Sequence, residues 1–189
     1  MKLTTRNIVT MGVLCALSVV LVYFIRFPIF PAAPFLEYDA GDIPIIIGTF
    51  MFGPIPGLLM TVAVSLIQAF TVSAGSGIIG ATMHILATGS LVLVAGLIYR
   101  RKKTLLSAII ALACGVVAWN ISMIFWNLLF TPIFMNVPRS VVAGMLAPVI
   151  VPFNLIKSSV NAFIGIFLFK SLWNYDLSGG RIVEAREGE

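Results

Sequence analysis

Charge is what this sequence has least of. Of its 189 residues only 7 are acidic and 12 basic, together 10% of the chain. None occurs between Ile43 and Tyr99, between Thr104 and Pro138, or between Ser140 and Ile156. Such gaps exclude an ordinary soluble domain, in which about a quarter of the residues are charged. Histidine is reduced to His84 alone, and the two cysteines, Cys15 and Cys114, lie in separate apolar segments. No His/Cys/carboxylate cluster has metal-ligand spacing, so no metal site is expected. The phosphate-cradling G-x-x-x-x-G-K-[ST] loop is missing, which excludes ATP hydrolysis by that device. No G-x-S-x-G accompanies His84 and no pair of aspartates lies inside the predicted spans, so no catalytic residue is expected.

What is present is apolar surface: 60% hydrophobic residues and a mean hydropathy of +1.09. This composition predicts an all-α integral membrane protein, one membrane domain over residues 1–189, with the lipid bilayer as its solvent. The net charge of +5 is not a nucleic-acid footprint, because the basic residues sit in short tails and loops where they set topology. Residues 8–25 follow Lys2 and Arg6 as a signal peptide would, but no small-residue cleavage site follows, so a retained span is expected. The apolar run 43–72 is broken by Gly53-Pro-Ile-Pro-Gly57. Counting it as two spans puts Arg100-Arg101-Lys102-Lys103 on the same side as the N-terminus, as the positive-inside rule prefers.

Six transmembrane helices are therefore expected, near 7–25, 40–53, 57–71, 77–98, 104–130 and 149–173, with both termini cytoplasmic. The second is short, since ten residues from Ile43 rise only about 15 Å. The fifth, at about 40 Å, exceeds a hydrocarbon core and must tilt or protrude. Two Pro-rich stretches, 26–42 and 131–148, read as outer loops, with Asp42 as the N-cap of the next helix. Trp173 and Tyr175 fit an interfacial belt.

Polar residues inside the spans gather on helix faces. Asn154, Lys157, Ser158 and Asn161 share one side of the sixth span, and Lys157 is the sole charge in any long apolar run. An intramembrane cation is costly in lipid and should face protein, ligand or water. Its bland reading is a stem that snorkels to the interface. On the fifth span Asn120 and Asn127 are nearly eclipsed, with Phe125, Trp126 and Phe130 nearby. Four amides, a cation and aromatic rings suit a flat ligand with a polar edge, because amides pair with an N–H beside a C=O. Thr61, Ser65 and Gln68 share a face of the third span, and Gly77, Ala81, His84 and Thr88 one of the fourth; packing glue between helices is their simplest role. Gly12 and Ala16 form a small-x-x-x-small pair that admits a close helix neighbour. Gly75-Ser-Gly77-Ile-Ile-Gly80 matches a dinucleotide fingerprint by chance, with no acidic residue about 20 positions on.

Three stretches carry a resemblance. Phe35-Leu-Glu-Tyr-Asp-Ala-Gly-Asp-Ile-Pro-Ile-Ile-Ile-Gly-Thr-Phe-Met-Phe-Gly-Pro54, Ser76-Gly-Ile-Ile-Gly-Ala-Thr-Met-His84 and Pro152-Phe-Asn-Leu-Ile-Lys157, with Asn161 beyond it, are similar to the riboflavin-specific S-components of energy-coupling factor transporters. The resemblance implies a high-affinity riboflavin-binding protein of the bacterial cell membrane that is not an enzyme and needs no cofactor. It implies loading from outside, and partnership with a membrane T-component and two cytoplasmic ATPases. Asn154, Lys157 and Asn161 would read the flavin's polar edge, with Asn120 or Asn127. Glu37, Tyr38 and Asp39 lie in the loop that would meet the ribityl chain. Gly12 and Ala16 stand where the family carries a small-residue docking motif, Gly12 replacing an alanine. The rivals from other classes are a stand-alone secondary carrier for a small aromatic solute and an intramembrane enzyme centred on His84.

Overall fold

The computed structural model describes residues 4–31 and 33–172. Trp173, Tyr175, the end of the expected sixth span and the C-terminal tail lie outside the described residues. The chain runs α1 (Thr5–Phe24), β1 (Arg26–Pro28), β2 (Glu37–Asp39), α2 (Asp42–Phe52), α3 (Pro54–Phe70), α4 (Gly77–Tyr99), α5 (Leu105–Met135), α6 (Arg139–Met145) and α7 (Val151–Leu172). Among the described residues, four stretches are long and apolar enough to cross a membrane: Thr5–Phe24, Ala74–Tyr99, Leu105–Met135 and Arg139–Leu172. Asp42–Phe52 and Pro54–Phe70 are apolar but shorter.

The shortness of α2 has a physical reason in the packing. Ten of its eleven residues are buried, against α1, α3, α4 and α7. A helix apolar on every side is a core helix, solvated by protein instead of lipid. Ile45 and Ile46 are almost wholly enclosed there. Large side chains such as Val13, Leu17, Phe70, Ile78, Leu106, Phe125 and Phe163 point outward as an apolar belt.

Gly53 makes the break between α2 and α3, with φ 101°, a left-handed setting that an L side chain resists. Pro54 then opens α3, where the missing N–H costs nothing. The same elbow meets α4 at Gly96, whose hypothetical Cβ would lie 2.8 Å from Pro54 Cα. Only glycine lets the two backbones approach that closely. At this end of the bundle Phe50, Tyr99 and Phe169 form an aromatic cluster with ring centroids 4.7–5.8 Å apart.

Two stretches depart from expectation. The first loop carries a small antiparallel ribbon, Phe27 opposite Tyr38 and Arg26 opposite Asp39, which adds a β element to an otherwise helical chain. Residues 131–148 are largely helical instead of an outer loop. α5 continues through Pro132 to Met135 and stops at Asn136, which is left-handed (φ 54°). Asn136 and Val137 donate their N–H groups to the carbonyls of Ile133 and Pro132, closing the end. α6 and a π-helical turn at Leu146–Ile150 then lead directly into α7.

Candidate functional site

The β ribbon, the C-terminal ends of α3 and α5 and the N-terminal halves of α4 and α7 enclose a cavity. About 170 Å³ of it is open to the centre of a water molecule. One wall is built by α5 and α7. Asn127 and Thr131 stand on α5 one turn apart, joined by a 2.8 Å hydrogen bond from the Thr131 hydroxyl to Asn127 Oδ1. Asn154 on α7 accepts a bond from the indole N–H of Trp119 at 2.8 Å. Lys157, one turn on, also lines the space.

Lys157 does not reach for the bilayer surface. Its ammonium donates to Asp39 Oδ2 at 2.6 Å and to the Glu37 carbonyl at 3.4 Å, and its side chain is 10% exposed. The pair ties α7 to β2. Asp39 uses its other oxygen to accept the Gly41 N–H at 3.0 Å, which stabilises the turn into α2. Arg26 pairs with Glu37 across the ribbon, donating from Nε at 2.6 Å, and bonds the Val72 carbonyl at the end of α3.

A second wall is formed by α3, α4 and the turn between them and presents Ser65, Gln68, Ser73, Ser76 and His84. Gln68 Nε2 is buried without a hydrogen-bond partner. Phe35, Met83, Trp119, Met123 and Phe153 supply the apolar part of the lining. Few convergent polar groups on an apolar lining is the usual build of a small-molecule site.

Not every expected site residue reaches the cavity. Glu37, Asp39, Asn127, Asn154 and Lys157 do. Asn161 and Tyr38 lie behind the lining, where the Tyr38 hydroxyl donates to Asn161 Oδ1 at 2.9 Å. Burial, then the charges of Asp39 and Asp42, hold the Tyr38 phenol above its ordinary value, so it stays a donor. Asn120 does not line the cavity; its amide bonds the Val116 carbonyl and Ser158 instead. The expected aromatic cover also differs. Phe125 faces outward and Trp126 stacks on Phe130, while Trp119 and Met123, on the face of Asn127, supply apolar cover. Gly12 and Ala16 are exposed on the outer face of α1.

Asp42 is the largest correction. The cap position belongs to Gly41, and the Asp42 carboxylate bonds no amide of its own helix. It is 1% exposed and accepts from His84 Nε2 (3.0 Å), the Thr88 hydroxyl (2.6 Å) and Asn161 Nδ2 (2.9 Å). The sequence signal for it was His84, a polar ring in an apolar span with Thr88 one turn on, which demands a buried partner. Arg26, Trp119, Ser65 and Gln68 were missed as lining. Ser65 and Gln68 had been read as packing residues, although their shared face was visible.

An apolar helical bundle that holds a polar-edged cavity at one end defines a membrane protein built to bind a small solute. The family described as "ECF transporter, substrate-specific component" matches residues 6–169. The chain belongs to that family, and is a transporter component and not an enzyme. It is 31% identical over 181 residues to the riboflavin transporter RibU of Staphylococcus aureus (strain TCH60), covering 90% of this chain and 92% of that relative. It is 25% identical to the riboflavin transporter RibU of Streptococcus thermophilus, over 82% of this chain and 77% of the relative. The riboflavin transporter FmnP of Bacillus subtilis (strain 168) is also 25% identical, over 88% and 92%. A solved structure described as the S component of a bacterial ECF transporter superposes with a TM-score of 0.78 at 30% identity, covering 90% of this chain and 96% of that one.

Proposed function

We propose that this chain is the high-affinity riboflavin-binding subunit of an ATP-driven vitamin uptake transporter in a bacterial cell membrane. It takes riboflavin from the extracellular side and releases it inward with a membrane T-component and two cytoplasmic ATPases. In this reading the chain crosses the bilayer six times, near 7–25, 40–53, 57–71, 77–98, 104–130 and 149–173, with both termini cytoplasmic and the cavity opening outward.

The observation that carries the reading is a cavity lined by polar groups from α3, α4, α5, α7 and β2 together with apolar side chains. Riboflavin has the matching parts: an amide-like ring edge, an apolar ring body and a hydroxylated tail. Asn127, Asn154 and Lys157 read the ring edge, because amides donate and accept side by side and the ammonium favours a carbonyl. Trp119, Met123 and Phe153 cover the ring body. Asp39 and Glu37 meet the ribityl chain, assisted by Ser65 and Gln68. Tyr38, Asn161 and Asn120 serve from behind by fixing the lining. Gly12 and Ala16 form the docking stripe for the T-component, where small side chains allow close helix approach.

Purification from a riboflavin-containing host provides the test. The preparation should be yellow with flavin absorbance, and the stripped protein should quench added riboflavin fluorescence. A colourless preparation that quenches nothing overturns the reading. Riboflavin accumulation in liposomes by this chain alone would reassign it as a self-sufficient carrier.

A further inference from the structure

The polar network beside the cavity includes one lining group, His84, to which the proposed riboflavin contacts give no role. His84 joins α4 to two other helices: Nδ1 lies 2.6 Å from Ser65 Oγ on α3, and Nε2 lies 3.0 Å from Asp42 Oδ1 on α2. The arrangement resembles a hydrolytic triad in outline, but its hydrogen bonds run otherwise. Ser65 Oγ also lies 2.7 Å from the Thr61 carbonyl, which can only accept. A hydroxyl has a single proton. With that proton on the Thr61 carbonyl, Ser65 accepts, and Nδ1 must carry a hydrogen. On the other side the Asp42 carboxylate accepts from the Thr88 hydroxyl and from the Asn161 amide, and an ionised carboxylate can only accept, so Nε2 donates to it as well.

Charge balance leads to the same result independently. Three carboxylates lie among the described residues around this end of the bundle: Glu37, Asp39 and Asp42. Glu37 is paired with Arg26 and Asp39 with Lys157. Asp42, 1% exposed, has the His84 ring as the basic group in contact with it, an ion pair only when that ring is protonated. A buried carboxylate without a countercharge is costly enough that such groups are found paired.

We propose that His84 is a positioning residue held as an imidazolium, and that through Asp42 it fixes the strand that forms the cavity's rim. The route is short. Asp42 Oδ2 orients the Asn161 amide, which donates to the Asp39 carbonyl at 3.0 Å and accepts from Tyr38. Asn161 thus clamps β2, on which Asp39 meets Lys157. The charged and titratable groups facing His84 are Asp42 directly, and Asp39, Lys157, Glu37 and Arg26 around the cavity, with Tyr38 behind.

The affinity arm of the test rests on riboflavin being the ligand; the spectroscopic arm does not. Because His84 is the chain's sole histidine, protein labelled with ¹⁵N-histidine and purified without a polyhistidine tag gives one imidazole. At about pH 7.5, where a free imidazole is mostly neutral, its NMR spectrum should show both nitrogens protonated. A neutral ring with hydrogen on one nitrogen overturns the proposal, and means that Ser65 donates to Nδ1. In riboflavin titrations His84→Ala should weaken binding about tenfold or more, and adding Asp42→Asn should restore most of that loss, because the stranded charge is gone. A double variant no better than His84→Ala overturns the charge role and leaves packing. If wild-type protein binds no riboflavin, the proposed ligand fails while the ¹⁵N spectrum still decides the state of His84.

Discussion

Replacing Lys157 by Met separates two roles that the structure superimposes on one ammonium. The substitution keeps the apolar stem and removes the charge. Lys157 Nζ and Asp39 Oδ2 are 2.6 Å apart, with side chains only 10% and 11% exposed. At an effective dielectric near 20 their attraction is about 6 kcal/mol. The desolvation of two ions, several kcal/mol each, offsets most of that. The intact pair therefore contributes little net stability, whereas losing one partner leaves a buried carboxylate at a cost of about 3–5 kcal/mol. Asp39→Asn removes that charge while its side-chain oxygen can still accept the Gly41 N–H. The double variant should therefore recover to within about 1–2 kcal/mol of wild type in ligand-free denaturation. Affinity behaves differently if Lys157 touches the flavin. Riboflavin binding should fall about tenfold or more, that is ~1.4 kcal/mol, in the single variant and stay weak in the double. Thermal denaturation in detergent reads the first quantity and fluorescence quenching the second. A single variant as stable as wild type would refute the closed ion pair. Full recovery of affinity in the double variant would refute direct ligand contact by Lys157 and leave it only a brace for β2.

Three further outcomes test separate parts of the molecule. Gly12→Leu places its side chain in open space, with nothing within 4 Å of the new Cβ; riboflavin binding should be unchanged and uptake in cells carrying the partner subunits should fall, and normal uptake rejects the docking stripe. Gly96→Val drives a Cβ to 2.8 Å from the Pro54 backbone and should lower stability by about 1–3 kcal/mol through overpacking; an unchanged denaturation midpoint refutes the close approach of α4 to the elbow. Trp119→Phe removes the indole donor to Asn154 and should cost about 1–3 kcal/mol by stranding a buried acceptor, with weaker riboflavin binding; full retention of both would show that the indole bond does not hold Asn154.

The helices were legible because their signals are local. Charge-free apolar runs, a Gly-Pro elbow at 53–54 and a basic turn at 100–103 each announce themselves within a few residues. The stretch 131–148 misled because Pro132 and Pro138 are loop signals by composition. Pro132 instead sits in the last turn of α5, four residues before Asn136, so the helix ends soon after it. The ribbon at 26–28 and 37–39 left no alternation to read, being three residues a strand.

The site divides along the same line. Asn154 and Lys157 were visible because a cation and an amide at helical spacing in an apolar run have few cheap explanations. Their partners were not, since Asp39 and Trp119 reach them from 118 and 35 positions away. Helical phase does not separate Asn120 from Asn127, which are nearly eclipsed two turns apart on α5. Residues 119, 123, 127 and 131 line the cavity, whereas Asn120 spends its amide on the Val116 carbonyl and Ser158. Asp42 shows the deeper limit. Beside a proline and ahead of an isoleucine run it looks like a surface cap, and a cap is solvated. What places it in the core is that His84, Thr88 and Asn161, polar residues in apolar spans, require a common acceptor. Those three residues stand 42, 46 and 119 positions from Asp42. Each intramembrane polar residue was conspicuous by itself; the single carboxylate that satisfies all three could be named only once the fold had brought α2, α4 and α7 together.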